Sequence, residues 1–254
     1  MIYITGDCHS NFIRLNEENF PEQKDMGKDD IVIICGDFGG IWYNEGGRQY
    51  DIAEQWLDWL EERSFTTVFC CGNHENFDRL YRYPEKMWKG GNVHQIRPSV
   101  YHLMRGEVFE INDMKIFAFG GASSHDIYNG ILDCDDPEWR QKARMLDVQG
   151  KHMYRVKGLS WWPQELPTQD EMDNGIANLA KHDNAVDFIV THTPPASTIA
   201  LLGSGLYDQD ILTKYLEEIR VKANFKKWFS GHMHINKNVN EKEIILYEQI
   251  IRIA

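Results

Sequence analysis

One stretch of the chain, residues 31–40, constrains the fold more than any other. It begins with Ile31–Ile34, and an unbroken β-branched run of this kind is typical of a strand buried on both faces of a parallel sheet. The run stops at Gly36, and the next residue is Asp37. In open α/β sheets, functional sites lie at the carboxyl ends of central strands. The stretch therefore predicts an α/β fold with Asp37 at a site.

Four other apolar runs end in the same way. The polar residues that follow them are Asp7 and His9, Asn73 and His74, His192, and His232 and His234. A single aspartate after a strand is often only a turn residue, but five such ends in one chain favour metal ligands. Residues two apart in an extended segment point to the same side, so the D-x-H and H-x-H pairs can each converge on one centre.

The segments between these ends predict helices that pack on a sheet. An apolar stripe of Ile52, Trp56, Trp59 and Leu60 predicts a core-facing helix over 48–63. A capping box after residue 167 predicts a helix to about residue 182, and a second apolar stripe predicts one over 208–221. The strand–helix–strand order at the start of the chain predicts parallel pairing.

The domain organisation follows from what interrupts this order. Residues 122–167 are the least regular region, and we interpret them as an insertion lying over the edge of the sheet that carries the site. No repeat or low-complexity linker divides the rest, so we expect a single domain over 1–254.

The net charge, the apolar runs and the cysteines limit which partners the protein can bind and where in the cell we expect it. The net charge is −12, which argues against binding along long nucleic acids, because that requires many contacts from Lys and Arg to phosphates. No apolar run approaches the ~20 residues of a membrane span, and the first residues are typical of a strand rather than a signal peptide. The five cysteines include no CxxC pair, so we expect a reducing cytoplasmic location. The oligomeric state stays open.

The number and type of candidate ligands indicate two metal ions. The set comprises Asp7, His9, Asp37, Asn73, His192, His232 and His234. A catalytic zinc takes three protein ligands, so seven donors suit two ions ~3.5–4 Å apart that share a carboxylate. Imidazole, carboxylate and amide oxygen favour Mn, which we expect first, or Fe, Zn or Ni, over Ca.

Two such ions suit the hydrolysis of phosphate esters. They activate a bridging water as hydroxide and neutralise phosphoryl oxygens during in-line attack. His74 directly follows a candidate ligand, so we expect it to face the substrate as a general acid for the leaving oxygen or as a cation stabilising the transition state. The alternative is that His74 only orients a ligand.

The five blocks, in order, resemble a known family. They read G-D-C-H at 6–9, G-D at 36–37, G-N-H-E at 72–75, T-H at 191–192 and G-H-M-H at 231–234. This set is similar to the motifs of the calcineurin-like metallophosphoesterases, D-x-H, GD, GNH(D/E), H and GHxH. The resemblance implies a four-layer αββα sandwich of two mixed β-sheets. It further implies that Asp37 bridges two metals, one held by Asp7, His9 and His234 and the other by Asn73, His192 and His232.

One departure from the family pattern concerns the substrate. The protein Ser/Thr phosphatases of this superfamily carry GDxxDRG, whereas residues 36–42 here read G-D-F-G-G-I-W. The Arg that would grip the substrate phosphate and the Asp that would partner the catalytic His are both missing, so the resemblance points away from that branch. Another group must position the substrate, and we name His125 and Arg155 in the 122–167 segment as candidates.

These observations predict a dinuclear-metal hydrolase of phosphate mono- or diesters that acts on a small phosphorylated substrate. A nuclease or a cyclic-nucleotide phosphodiesterase is the alternative within enzymes. A non-catalytic metal-binding scaffold is the alternative outside them, and the intact set of ligands argues against it.

Overall fold

The computed structural model describes residues 1–203 and 209–254. Its strands in chain order are β1 (Ile2–Thr5), β2 (Ile31–Ile34), β3 (Thr66–Phe69), β4 (Glu85–Trp88), β5 (Gly91–Arg97), β6 (Val100–Leu103), β7 (Glu107–Ile111), β8 (Met114–Phe119), β9 (Ile131–Asp133), β10 (Arg155–Lys157), β11 (Ala185–Thr191), β12 (Asn224–Ser230), β13 (Lys237–Asn238), β14 (Glu243–Ile245) and β15 (Ile251–Arg252). Its α-helices are α1 (Arg48–Glu61), α2 (Phe77–Leu80), α3 (Trp139–Val148), α4 (Gln169–Lys181), α5 (Ala196–Gly203) and α6 (Ile211–Lys222).

The strands form two large mixed sheets. The first has the order β15-β1-β2-β3-β6-β5-β4, with β1, β2, β3 and β6 parallel and antiparallel pairs at both edges. The second has the order β13-β14-β12-β11-β8-β7, with four parallel central strands between antiparallel edges. Parallel pairs bring the carboxyl ends of neighbouring strands to one edge of each sheet, which is where the five motifs follow.

Alternating side chains build the layers. In β2, Ile31 and Ile33 join the core between the two sheets, whereas Val32 and Ile34 face the side covered by α1. This is the two-residue period of a strand buried on both faces. A third core packs α4 and α6 on the outer face of the second sheet. Helix, sheet, sheet and helix therefore lie in four layers, and the predicted αββα fold class is confirmed.

The predicted core face of α1 is wrong by about one position. Ile52 is 43% exposed, whereas Ala53, Leu57 and Leu60 are buried. The two tryptophans of the predicted stripe are only partly buried and pack against the edge of the core. Because their side chains are large, they cover apolar surface from the flanks while the smaller residues occupy the centre of the contact.

The later helices follow their sequence signals. Thr168 Oγ1 accepts a hydrogen bond from the Glu171 amide and Glu171 Oε2 accepts one from the Thr168 amide, which is the predicted capping box of α4. The helix predicted over 208–221 is observed as α6, although residue 208 lies outside the described residues. Within the described part of the chain, no helix is both long and apolar enough to cross a bilayer.

Residues 122–167 are more regular than the sequence indicates. They contain the parallel pair β9 and β10, and α3 lies between these strands in the chain. His125, near the start of the segment, and Arg155, in β10, reach the site described below. Its assignment as an insertion within a single domain stays a prediction.

Candidate metal centre

The candidate ligands converge into two groups that share one residue. In the first group, one donor atom from each of Asp7, His9, Asp37 and His234 lies within 4.8 Å of the others. The second group, defined in the same way, comprises Asp37, His192 and His232. The shared carboxylate makes the two groups neighbours, as two adjacent cations would require.

The two sheets contribute different donors. Asp7 and His9 follow β1, Asp37 follows β2 and Asn73 follows β3, all in the first sheet. The remaining donors follow β11 and β12 of the second sheet and are His192, His232 and His234. The centre therefore joins the carboxyl edges of both sheets.

In the first group, ring nitrogens and carboxylate oxygens lie within 4 Å of one another. His9 Nε2 lies 3.0 Å from His234 Nε2, and His234 Nε2 lies 3.1 Å from Asp7 Oδ2. His9 Nε2 is also 3.7 Å from Asp37 Oδ2. Neutral imidazole nitrogens and carboxylate oxygens facing one another at these distances fit a bound cation, which would take all of these lone pairs.

Two of the predicted ligands, His192 of the second group and Asn73, have buried acceptor atoms without partners in the described part of the chain. His192 Nδ1 lies 2.8 Å from the Cys35 carbonyl oxygen, so Nδ1 carries a proton, and Nε2 faces Asp37 Oδ1, 3.2 Å away. In the neutral ring that a metal ion would require, the lone pair of Nε2 points into the centre. His192 Nε2 and Asn73 Oδ1 are both buried without a hydrogen-bond partner among the described residues. Orphaned acceptors of this kind are costly unless a cation or a proton satisfies them.

Charge also couples these residues. Burial lowers the pKa of His192, but the Asp37 charge outweighs burial and raises that pKa to about 9. Burial raises the pKa of Asp37, and His192 more than reverses this, so that the Asp37 pKa falls well below its ordinary value. Without an ion, the positive charge beside Asp37 is a proton on His192, and a bound metal ion would replace that proton and leave the ring neutral.

The backbone of Asp37 organises the surrounding loops. Its carbonyl oxygen accepts hydrogen bonds from the amides of Cys8 at 3.1 Å and His9 at 2.8 Å. Its Oδ1 accepts a bond of 2.8 Å from the His74 amide. Three of the five motifs are thus tied to one residue before any ion binds.

Several candidate ligands have a left-handed backbone conformation. The φ angles are +46° at His9, +42° at Asp37, +65° at His232 and +48° at His234. Non-glycine residues rarely adopt this region, which costs of order 1–3 kcal/mol each and is found mainly where the surrounding structure enforces it. The strained positions coincide with the donor groups, which marks this edge as a functional site.

Glycines allow the ligands to approach the backbone of neighbouring motifs. A Cβ at Gly231 would lie 2.1 Å from Asp7 Oδ1, and one at Gly72 would lie 2.0 Å from Asp37 Oδ1. Only a residue without a side chain leaves these carboxylates in place, which gives a physical reason for the glycines before the metal-ligand blocks.

His74 lies at the rim of the centre. Its ring is 5.0 Å from the His9 ring and 5.2 Å from the Trp42 ring, measured between centroids. Arg155 Nη2 lies 3.4 Å from His74 Nε2. Burial lowers the pKa of His74 and the Arg155 charge lowers it further, against the opposing effect of Asp37.

Both predicted substrate contacts lie beside the centre. Arg155 Nε donates to the two carboxylate oxygens of Asp126 at 2.7 and 2.8 Å, and Nη1 donates to the Ser160 carbonyl at 2.9 Å. His125 Nε2 lies 2.9 Å from His232 Nε2. Segment 122–167 therefore brings His125 to the second donor group and Arg155 to His74, and a role in substrate binding stays a prediction.

A family comparison agrees with this geometry. The model of the calcineurin-like phosphoesterase family matches residues 1–236. The chain belongs to this family. Its members are dinuclear-metal enzymes, and the prediction of a metal-dependent phosphoric ester hydrolase is confirmed at the level of the family.

Two lariat debranching enzymes are distant relatives of this phosphoesterase. Lariat debranching enzyme A of Xenopus laevis is 26% identical over 144 residues, which cover 52% of this chain and 26% of the relative. The lariat debranching enzyme of Danio rerio is also 26% identical over 144 residues and is covered to 24%. The chain thus spans about a quarter of the length of these relatives.

Sequence reasoning missed several residues that shape the site of this phosphoesterase. Ser124 Oγ accepts from Asn73 Nδ2 at 3.4 Å, and the Tyr247 ring stacks on His234 with centroids 4.7 Å apart. Glu75 Oε1 accepts from the Phe38 amide at 2.8 Å, and burial raises the Glu75 pKa to about 8. Only Glu75 had a signal, as the last residue of the G-N-H-E block; the other two lie in loops without a periodic pattern.

Proposed function

We propose that this phosphoesterase hydrolyses mono- or diesters of phosphate on small molecules with two divalent ions. Mn is our first candidate, and Fe, Zn and Ni are the others. The observation that carries the proposal is the pair of donor groups that share buried Asp37. A single-ion site would leave half of these donors without a function.

The donor groups suggest how the ions are held. Asp7, His9 and His234 would hold one ion, Asn73, His192 and His232 would hold the other, and Asp37 would bridge them. The orphaned acceptors Asn73 Oδ1 and His192 Nε2 support this division. When bound, the ions would supply a hydroxide for in-line attack and neutralise charge on the phosphoryl oxygens.

Residues at the rim would complete the reaction. His74 would protonate the leaving oxygen or stabilise the transition state as a cation. Arg155 would bind the non-bridging phosphate oxygens in place of the missing GDxxDRG arginine, because two of its guanidinium nitrogens are held by Asp126 and Ser160 while the third points toward His74. His125 would contact the substrate beside the second ion.

Charge and cysteine chemistry support a small substrate and a cytoplasmic location. With a net charge of −12, the protein repels long nucleic acids, whose binding relies on many basic contacts. All five cysteines are free thiols, as a reducing compartment would keep them.

A nuclease or diesterase of branched nucleic acid is the second candidate function. It is favoured by the relatives named lariat debranching enzymes, which align with about half of this chain. The acidic charge of the chain argues against it. A scaffold without catalysis is disfavoured by the complete donor set and by His74.

The test uses protein that is stripped with a chelator and reloaded with Mn, Fe, Zn or Ni. We expect hydrolysis of 4-nitrophenyl phosphate or of bis(4-nitrophenyl) phosphate, and the rate ratio of the two esters reports the preference for monoesters or diesters. Asp37→Asn should abolish turnover. Asp113→Asn is a matched control, because Asp113 is an exposed turn aspartate that also has a positive φ, of +63°.

Three results would count against the proposal. Full turnover by Asp37→Asn would show that Asp37 is not the ligand shared by two ions. Absence of hydrolysis of both esters with every metal, in protein that binds two ions by elemental analysis, would favour the scaffold. Cleavage of a branched oligonucleotide in preference to both small esters would favour the second candidate.

A further inference from the structure

A row of buried hydrogen bonds connects segment 122–167 to the candidate ligand Asn73. Asn73 Nδ2 donates to Ser124 Oγ at 3.4 Å, and the Ser124 amide donates to Glu165 Oε2 at 3.2 Å. All three residues are buried, and we call them the Ser124 bridge. Asn73 follows β3 in the first sheet, whereas Ser124 lies in the loop after β8 in the second sheet. Glu165 ends the short 3-10 helix Pro163–Glu165, so the bridge links both sheets to the far end of the segment.

Hydrogen bonding sets which end of the Asn73 amide faces the ions. The oxygen and the nitrogen of a side-chain amide have nearly the same shape, but only the oxygen has lone pairs for a cation. Asn73 Oδ1 is buried and has no hydrogen-bond partner among the described residues, whereas Nδ2 is held by Ser124. A half-turn of the amide would exchange the two atoms and present an NH₂ group to the second ion.

The Ser124 hydroxyl alone does not select one orientation of the amide, because a hydroxyl can donate as well as accept. Burial raises the pKa of Glu165 to about 8, and hydrogen bonds from the Ser124 hydroxyl and amide oppose this rise. A carboxyl group has an accepting oxygen whether or not it is ionised, so Glu165 takes the Ser124 proton in either state. The lone pairs of Ser124 Oγ then face Asn73 and can pair only with its NH₂ group.

Arg105 fixes the backbone on both sides of the Ser124 bridge. Its buried guanidinium donates from Nε to the Gly120 carbonyl at 2.9 Å and from Nη2 to the Gln164 carbonyl at 2.6 Å. Gly120 begins the loop that carries Ser124, and Gln164 directly precedes Glu165. One side chain thus holds the serine and the carboxyl group at a set distance, as the support of a metal ligand requires.

We propose that Ser124 and Glu165 are positioning residues that hold the Asn73 amide oxygen toward the second ion and so set the affinity of that ion. The proposal rests on the proposed function, because it takes Asn73 as a metal ligand. It gives segment 122–167 a role in metal binding that is separate from any contact with substrate. A purely structural role of the bridge would instead stabilise the fold and affect both ions alike.

Metal titration measures this role without catalysis. The full-length protein is stripped with a chelator and titrated with Mn, and free Mn is followed by electron paramagnetic resonance. We expect two binding steps, of which Asn73→Ala removes one. Ser124→Ala should weaken that same step by about 10- to 100-fold, the usual cost of losing the partner of a metal ligand, and leave the other step within about two-fold.

Ser99 offers a matched control for Ser124. It is a buried serine whose amide and hydroxyl both donate to Glu61 Oε2 at 2.7 Å. It precedes β6 and therefore lies at the opposite end of the parallel strands from the ions. Ser99→Ala should lower the Tm of the metal-free protein, as Ser124→Ala does, because a buried hydrogen bond is lost, and it should leave both Mn affinities unchanged.

Two substitutions of Glu165 test the direction of the hydrogen bonds. Glu165→Gln keeps an accepting oxygen and should bind both ions within about three-fold of the wild-type affinities. Glu165→Leu is similar in size but has no acceptor, so the Ser124 proton can turn to Asn73 and the step removed by Asn73→Ala should weaken at least ~10-fold. Wild-type affinities of Glu165→Leu, or equal weakening of both steps by Ser124→Ala, would overturn the proposal. If circular dichroism shows that Ser124→Ala does not fold, the two Glu165 variants decide.

The failure of this proposal differs from the failure of the proposed function. If the wild type binds two Mn ions and hydrolyses esters, but Ser124→Ala and Glu165→Leu bind both ions equally well, only the positioning role is wrong. If the wild type binds two ions and hydrolyses no ester, the proposed function fails and the same titrations still decide the bridge. Binding of fewer than two ions by the wild type would overturn both.

Discussion

Gly72→Ala adds a single methyl group at the place where it should damage the metal centre most. The new Cβ would lie 2.0 Å from Asp37 Oδ1 and 2.4 Å from the Asp37 amide nitrogen. Ordinary contact begins near 3.4 Å, so the Asp37 carboxylate must retreat by about 1.4 Å. Displacement of a reacting group by ~1 Å can cost about 100-fold in rate. Gly72 does not have a positive φ, so an alanine there strains the site through Asp37 and not through its own backbone.

We therefore expect Gly72→Ala to lower kcat with 4-nitrophenyl phosphate about 100-fold and to reduce the bound Mn below two ions per chain. Circular dichroism checks that the variant is folded. Gly27→Ala is the control, because a Cβ at Gly27 meets no atom within 4 Å and Gly27 does not have a positive φ either. A Gly72→Ala protein with two bound ions and activity within two-fold of wild type would refute the close-approach argument.

Three further predictions concern the rim, the core and the ions. Arg155→Gln should raise KM for phosphate esters by ~10-fold or more, because a charged hydrogen bond to phosphate is lost. Asp126→Asn should raise KM less, and an unchanged KM of the Arg155 variant in steady-state kinetics would contradict a role of Arg155 in phosphate binding. Burial, then His94 and Arg105, hold the pKa of His102 well below its ordinary 6.5, so the unfolded chain binds the extra proton and stability should fall as the pH drops below about 6.5. His102→Phe should reduce the pH dependence of the unfolding free energy between pH 7.5 and 5.5, by up to about 1.4 kcal/mol per pH unit. Urea unfolding at each pH measures this dependence, and an equal pH dependence in wild type and variant would refute the prediction. Chelation should lower Tm by several degrees and Mn should restore it; a Tm insensitive to chelator would argue against ions that stabilise the fold.

The fold and the convergence of the candidate donors were predictable because both depend on local patterns. A run such as Ile31–Ile34 defines a buried strand, and the polar residues after Gly36 lie where parallel strands end. Parallel pairing then forces those ends together, whatever the intervening loops do. The spacing within a motif also predicts which side chains point to the same side of the extended segment, as for Asp7 and His9 of the D-x-H pair.

The surroundings of the donors were not predictable in the same way. Arg155 and Asp126 meet across 29 residues of chain, and Trp42 meets His74 because a loop without periodicity folds over it. The face of α1 was misjudged because hydrophobicity alone places Trp56 at the centre of the contact, whereas packing depends on size and prefers Ala53 there. Such contacts depend on loop conformation and volume, which a pattern of residue types does not encode.

The division of the donors between the two sheets has a consequence for the lifetime of the protein. A pair of ions bound where the carboxyl ends of the two sheets meet would act as a removable cross-link between the two halves of the sandwich. The stability of the protein would then depend on the metal supply of the cell. In metal-starved cells the phosphoesterase would lose activity and also open more often at this edge, where proteases act on transiently exposed backbone. Metal limitation would then set the abundance of the enzyme as well as its rate.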